Sequence, residues 1–228
     1  MRRLTAVFAH PDDETYATGG TLARYASEGV RCSLYCATDG DAGQSSGIPV
    51  SSRAELGAVR RAELRAACDV LGVETLVCGG HPDGGLQGVD PEVVMGEIVA
   101  LIRREQPDVV ITFGPEGAPT QHRDHRAISR LATAAFLLAG TATAFREQVA
   151  DGLAPHRPRE LWYATWMQPA PGDDPATEGQ PIDLTVNVAA WLPRKQAAFE
   201  AHRTQHVHRP SFERLAIREN EYYFVAIG

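Results

Sequence analysis

The stretch Leu4-Thr5-Ala6-Val7-Phe8-Ala9-His10-Pro11-Asp12-Asp13-Glu14 decides how the chain is read. Its first six residues form an apolar run that reads as a buried strand. The next five place a histidine and a pair of aspartates where that strand hands over to a helix. In open α/β sheets, ligand sites form beyond the carboxyl ends of strands. His10 and Asp13 can both bind one divalent metal, which leaves Asp12 free as a base.

Outward from this stretch, strands and helices alternate. Strands are expected over residues 31–37, 74–78 and 108–113, with helices over 15–28, 52–71, 90–105 and 124–138. The punctuation is specific. Gly29 and Gly72 stand where helices end. Ser52 with Glu55 three residues later is a capping box. Asp90 precedes Pro91, which suits the first helical position. The consecutive Val109-Val110-Ile111 implies a strand covered on both faces, as in a parallel sheet. Residues 161–166 and 221–227 read as strands and 190–202 as a helix. Residues 169–181, with Pro169, Pro171, Pro175 and Pro181, read as a flexible loop or flap. The expected fold is α/β: a Rossmann-like, doubly wound, mainly parallel sheet with helices on both faces, in one domain over residues 1–228.

Composition narrows the function classes. With 43% hydrophobic and 22% charged residues, the chain is an ordinary globular one. A net charge of −7 without a long Lys/Arg cluster argues against a nucleic-acid partner. The pairs Arg60-Arg61 and Arg103-Arg104 fall in helical patterns and are expected on solvated faces. No run approaches 18 apolar residues, so no membrane span is expected, and no export signal is seen. These absences point to the cytoplasm. Cys32, Cys36, Cys68 and Cys78 fit neither a zinc ribbon nor a C-x-x-C motif and are expected to be reduced, buried thiols. A homo-oligomer is compatible with the sequence but not specified by it.

Three of the first four strands run into loops carrying His and Asp: His10-Pro11-Asp12-Asp13, His81-Pro82-Asp83, and the segment reaching His122-Arg123-Asp124-His125. Parallel strands would bring these loops to one sheet edge. A catalytic zinc takes three N/O protein ligands and keeps one position open. His10, Asp13 and a later histidine supply three. Amide hydrolysis also needs a carboxylate base and a donor for the oxyanion.

Ala9-His10-Pro11-Asp12-Asp13-Glu14, followed by Gly19-Gly20, resembles the opening motif of the PIG-L/LmbE family of zinc-dependent N-deacetylases. His122-Arg123-Asp124-His125, after Thr112-Phe113-Gly114-Pro115-Glu116-Gly117, is similar to that family's second motif. The likeness continues in Thr38-Asp39-Gly40, Arg60 to Leu64, Pro82-Asp83-Gly84-Gly85-Leu86, and Lys195 to Gln205 with His202. The resemblance implies His10, Asp13 and His125 as ligands of Zn²⁺, or of Fe²⁺ in its place. It implies Asp12 as general base and His122 as the group that protonates the leaving amine, in its cationic form, or steadies the oxyanion. Asp124 would tune a neighbouring imidazole, and Arg60, Asp83 and His202 would lie toward the substrate. The implied substrate is a small amino sugar of the N-acetylglucosamine type, with acetate released. Two departures stand out: Gln121-His122-Arg123-Asp124-His125 replaces the frequent Gly-His-Pro-Asp-His, and Ala118-Pro119-Thr120-Gln121 lacks the tyrosine that some relatives carry.

Other readings compete. An amidase acting on a thiol conjugate of an amino sugar would keep the same metal site. A non-catalytic sugar- or nucleotide-binding module would keep the fold, although His-Pro-Asp-Asp replaces the G-x-G-x-x-G of dinucleotide binding. His81 reads as a loop histidine, and Trp162, Trp166 and Trp191 as core. His202, His206 and His208 do not share a helix face. The acceptor attached to the sugar is not legible.

Overall fold

The computed structural model describes residues 1–166 and 179–228. Strand β1 (Arg3–Phe8) leads through residues 9–12 into helix α1 (Asp13–Ser27). There follow β2 (Arg31–Thr38), α2 (Arg53–Leu71), β3 (Val73–His81), α3 (Pro91–Glu105), β4 (Val109–Phe113) and α4 (Arg123–Ala139). The short α5 (Arg146–Ala150) precedes β5 (Glu160–Thr165) and β6 (Leu184–Asn187); α6 (Leu192–Ala201), α7 (Arg209–Leu215) and β7 (Asn220–Ile227) complete the described chain. The strands form one seven-stranded sheet in the order β3-β2-β1-β4-β5-β7-β6. The first five are parallel, and β7 runs antiparallel to both neighbours.

The expected α/β sheet with helices on both faces is therefore present, extended by an antiparallel edge. The element bounds follow local physics. Ser52 Oγ accepts the Glu55 amide at 3.2 Å, and Gly72 ends α2 at φ 83°, a left-handed conformation suited to glycine. Glu55 departs from the capping box: its carboxylate takes the Ser51 amide at 2.6 Å rather than that of Ser52. Asp90 accepts the Glu92 amide at 3.0 Å ahead of Pro91. Every residue of β4 is buried, as its apolar run requires. All four cysteines are free thiols; Cys32, Cys36 and Cys68 are buried and Cys78 partly so. Among the described residues no helix is long and apolar enough to cross a membrane. Most of the proline-rich segment 169–181 lies outside the described residues.

Strand order reverses between β1 and β4, which opens a crevice at their carboxyl ends. α1 borders that crevice and is broken at Thr18, whose φ of −150° and ψ of 16° interrupt the helix. The freed Gly20 and Thr21 amides donate to Glu221 of β7 at 2.8 and 2.7 Å. Glu221 is buried and paired with buried Lys195 at 2.6 Å. The first turns of α1 thus take their own direction, held from the antiparallel end of the sheet. Gly20 is needed here because a Cβ would stand 2.6 Å from the Val188 Cβ.

The two arginine pairs divide differently from expectation. Arg61 faces outward onto Asp39, but Arg60 is buried. Arg103 is also buried, and its guanidinium donates to the carbonyls of Ala139, Thr141, Ala144 and Phe145 and to Gln148 Oε1. A planar fork of donors suits a helix end, where carbonyls lack intrahelical partners. Arg103→Ala strips these acceptors and is expected to cost about 3 kcal/mol. For a chain of this size that lowers Tm by about 6–12 °C. An unchanged melting temperature would mean that the guanidinium is solvated after all.

Candidate active site

Asp13 opens α1 and folds its carboxylate back over the end of β1. Oδ2 accepts the amides of His10 at 2.8 Å and Ala9 at 3.2 Å and lies 3.4 Å from His10 Nδ1. Oδ1 lies 3.1 Å from His125 Nε2. One carboxylate therefore spans two imidazoles from loops that are more than a hundred residues apart. His10 turns its other nitrogen, Nε2, toward Asp83 Oδ1 at 3.1 Å and Asp124 Oδ2 at 3.3 Å. Asp124 is fully buried and also accepts the Gly84 and Leu86 amides at 2.6 and 3.1 Å. It fastens the loop after β3 to the start of α4 and fixes the His10 ring. His125 is set by Phe113, stacked on it at 4.0 Å, and by Thr120 Oγ1, 3.3 Å from Nδ1.

These groups suit a metal. His10, His122 and His125 offer ring nitrogens within 4.8 Å of one another, and His10, Asp83 and Asp124 form a second set of the same kind. Imidazole and carboxylate together match a first-row divalent ion. The outward carboxylates on His10 Nε2 leave Nδ1 on the Asp13 side, the arrangement that orients metal-binding histidines. The charges agree. Burial resists protonation of His10, but Asp13, Asp124 and Asp83 outweigh it and raise its pKa well above the ordinary imidazole value. Burial resists ionisation of Asp13, yet His125 and His10 hold it well below the usual carboxylate range.

Asp12 stands beside this pair without joining it. Its backbone is left-handed, with φ 106°, a strained state for a residue with a side chain. Oδ2 lies 3.7 Å from the Arg60 guanidinium. Burial pushes the Asp12 carboxyl up to about 6, with Arg60 opposing and Asp13 assisting. His122 caps α4: its Nδ1 accepts the Asp124 amide at 3.2 Å. That bond places the ring proton of a neutral His122 on Nε2. Burial and the neighbouring His10 and His125 lower the His122 pKa. Both effects oppose the cationic form expected from the sequence.

A cavity of about 510 Å³ brings together His10, Asp12, Asp13, His122 and His125 with Arg60 and Asp83. Arg60 reaches it while its guanidinium donates to Pro11 O at 2.5 Å and Gly40 O at 2.8 Å. His202 does not line the cavity: it is fully buried with Nε2 2.8 Å from Glu14 Oε1, because α6 ends against α1 rather than over the site. His81 also stays away, bound to Glu97 at 2.9 Å. The three C-terminal histidines separate, His206 onto Glu200 and His208 into the cavity wall. Trp162 is core, as expected, but Trp166 lines the cavity. Sequence reasoning missed Tyr16, Phe113, Gln205 and His208 in the wall. Tyr16, one helical turn beyond Asp12 and Asp13, carried the one local signal.

The chain is similar to known proteins over most of its length. The PIG-L family model, described as GlcNAc-PI de-N-acetylase, matches residues 5–136. A 1D-myo-inositol 2-acetamido-2-deoxy-alpha-D-glucopyranoside deacetylase of Rhodococcus opacus (strain B4) is 32% identical over 256 residues, covering 95% of this chain and 86% of that protein. A probable N-acetyl-alpha-D-glucosaminyl L-malate deacetylase 2 of Bacillus cereus is 31% identical, covering 90% of this chain and 84% of its own length. The structure of N,N'-diacetylchitobiose deacetylase from Pyrococcus horikoshii superposes with a TM-score of 0.80 at 21% identity, covering 99% of this chain and 84% of that one. At that identity the superposition shows the shared fold.

The Asp124 fastening is directly testable. Asp124→Ala is expected to speed hydrogen exchange at the Gly84 and Leu86 amides while the interior of α4 stays protected. Equal protection in variant and parent would show that the loop does not depend on this carboxylate.

Proposed function

Because the chain belongs to the PIG-L family, we propose that it is a metal-dependent deacetylase of N-acetylglucosamine-type sugars or glycoconjugates, acting as one domain over residues 1–228 and releasing acetate. The carrying observation is the meeting of two imidazoles, a shared carboxylate and a separate, uncommitted carboxylate in one cavity at the switch point of the sheet. The relatives that act on inositol and malate conjugates of N-acetylglucosamine support the substrate class.

His10 Nδ1, Asp13 and His125 Nε2 are the proposed ligands of a zinc ion, with ferrous iron as the other candidate of suitable chemistry. When bound, such an ion supplies Lewis acidity toward the amide carbonyl. The chain's own groups carry the protons. Asp12 takes a proton from the attacking water as its oxygen bonds to the acetyl carbon. Its pKa near 6 leaves it ionised at neutral pH yet basic enough to accept. His122, neutral and protonated at Nε2, donates a hydrogen bond to the oxygen that becomes negative. As the carbon–nitrogen bond breaks, the proton held by Asp12 passes to the departing amine and acetate is left. His122 therefore serves as an oxyanion donor, and Asp124 positions His10.

The panel that tests this consists of the N-acetylglucosaminides of inositol and malate and N,N'-diacetylchitobiose, assayed for acetate with the zinc-loaded protein. Acetate release that stops on chelation and returns with zinc is expected. Stoichiometric metal without acetate from any member would favour a binding module instead. His10→Ala, Asp13→Ala and His125→Ala should each lose the ion; full occupancy in all of them would overturn the ligand set. Asp12→Asn should keep the metal and lose about 10²-fold or more in kcat. His122→Ala should also keep it and lose about 10²- to 10³-fold, the range for a single oxyanion donor. Near-native turnover in either would move that role to another group.

A further inference from the structure

Glu14 follows Asp13, yet nothing in the chemistry above uses it. It is fully buried, and so is His202, which reaches it from the end of α6. Burying a carboxylate is unfavourable unless its oxygens are hydrogen-bonded. Glu14 is satisfied on both. Oε1 accepts from Thr15 Oγ1 at 2.5 Å and lies 2.8 Å from His202 Nε2. Oε2 accepts the backbone amide of Asp12 at 3.0 Å.

The same peptide group is held from its other end. The carbonyl of Pro11 accepts from Arg60 Nη2 at 2.5 Å. The Pro11–Asp12 peptide is therefore gripped at its C=O by a buried arginine from α2 and at its N–H by a buried glutamate. The glutamate is in turn fixed by a histidine 188 residues further along the chain. This peptide leads into Asp12, the one non-glycine residue of the cavity lining with a left-handed backbone. A strained backbone persists only where its surroundings over-determine it. The grip fixes the peptide before Asp12, and the Asp12 carbonyl, which accepts the Thr15 and Tyr16 amides at 3.0 Å each, fixes the one after it; together they hold φ.

We propose that Glu14 and His202 are positioning residues that hold Asp12 in the left-handed conformation required for proton transfer, His202 acting through Glu14 and not on the substrate. The idea rests on Asp12 being the base. The geometry separates it from a substrate role, because His202 has no surface in the cavity. It also explains why a histidine remote from the cavity shares a buried ion pair with the motif that carries the base. His202 Nδ1 has no hydrogen-bond partner among the described residues, so Glu14 is the acceptor through which the ring is held.

The test uses the zinc-loaded protein and the variants His202→Ala and His202→Gln, each alone and combined with Asp12→Asn. His202→Ala should lower kcat by about 10²-fold, the scale of a small misplacement of a reacting group. KM and metal content should not change. His202→Gln, whose side-chain amide can still donate to Glu14, should recover most of that loss. The backbone amide resonance of Asp12 should move in His202→Ala. Added to Asp12→Asn, His202→Ala should cost nothing further, because the group it positions is already gone. A raised KM at constant kcat would make His202 a substrate contact and overturn the proposal. An equal loss on the Asp12→Asn background would make it general structural support and also overturn it. Wild-type kcat in His202→Ala with an impaired Asp12→Asn would remove the positioning role alone, whereas wild-type turnover in Asp12→Asn would remove the base and this role together. Should His202→Ala fail to fold, Glu14→Ala carries the comparison. It removes the acceptor of the Asp12 amide together with the partner of His202, and the same fall in kcat at constant KM is expected, with an unchanged kcat counting against the proposal.

Discussion

The carboxylate of Asp13 is the constraint on which the rest of the site depends. It accepts the amides that end β1 and at the same time faces one nitrogen each of His10 and His125. A carboxylate in that position cannot be displaced without unpairing a strand end and two imidazoles together. Its effect extends outward through His10, whose far nitrogen meets Asp83 and Asp124, and through Asp124 to the loop after β3. Three loops from distant parts of the chain are thereby locked at one edge of the sheet.

With Asp13 committed in this way, its neighbour Asp12 is left over. The two residues are adjacent in sequence and opposite in charge environment. Asp13 has imidazoles on both oxygens and is held strongly ionised, while Asp12 has burial and a more distant guanidinium and titrates near 6. Adjacent carboxylates with separated acidities are a recurring basis for dividing labour between binding and proton transfer. The left-handed turn at Asp12 is what sends the two side chains to different tasks.

Much of this was legible in the sequence because it is local. Apolar runs, the Ser52 and Asp90 caps and the glycine stops placed β1 to β4 and α1 to α4 within a few residues. The His-Pro-Asp-Asp motif fell where strand order reverses. What was not legible depends on distant partners. Arg60 and Arg103 read as solvated because their partners are carbonyl oxygens of other elements, which no charge pattern reveals. His202 read as a residue facing the site, but its partner is the buried Glu14. β6 is four residues long with only Val186 buried, and α5 and α7 are too short for a helical period to register. The cation expected on His122 is opposed for a similar reason: the amide it caps and the imidazoles beside it come from the folded arrangement, while Asp124 and Asp13 pull the other way.

The central claim is a division of labour: two histidines and Asp13 bind the ion, while Asp12 and His122 remain free of it. His122 stands close enough to His10 and His125 for a three-histidine site to be the direct rival. X-ray absorption at the zinc edge of the loaded protein distinguishes them, because imidazole rings scatter in a countable way. Two imidazoles with carboxylate oxygen are the predicted result. Three imidazoles would place His122 on the metal and contradict the account.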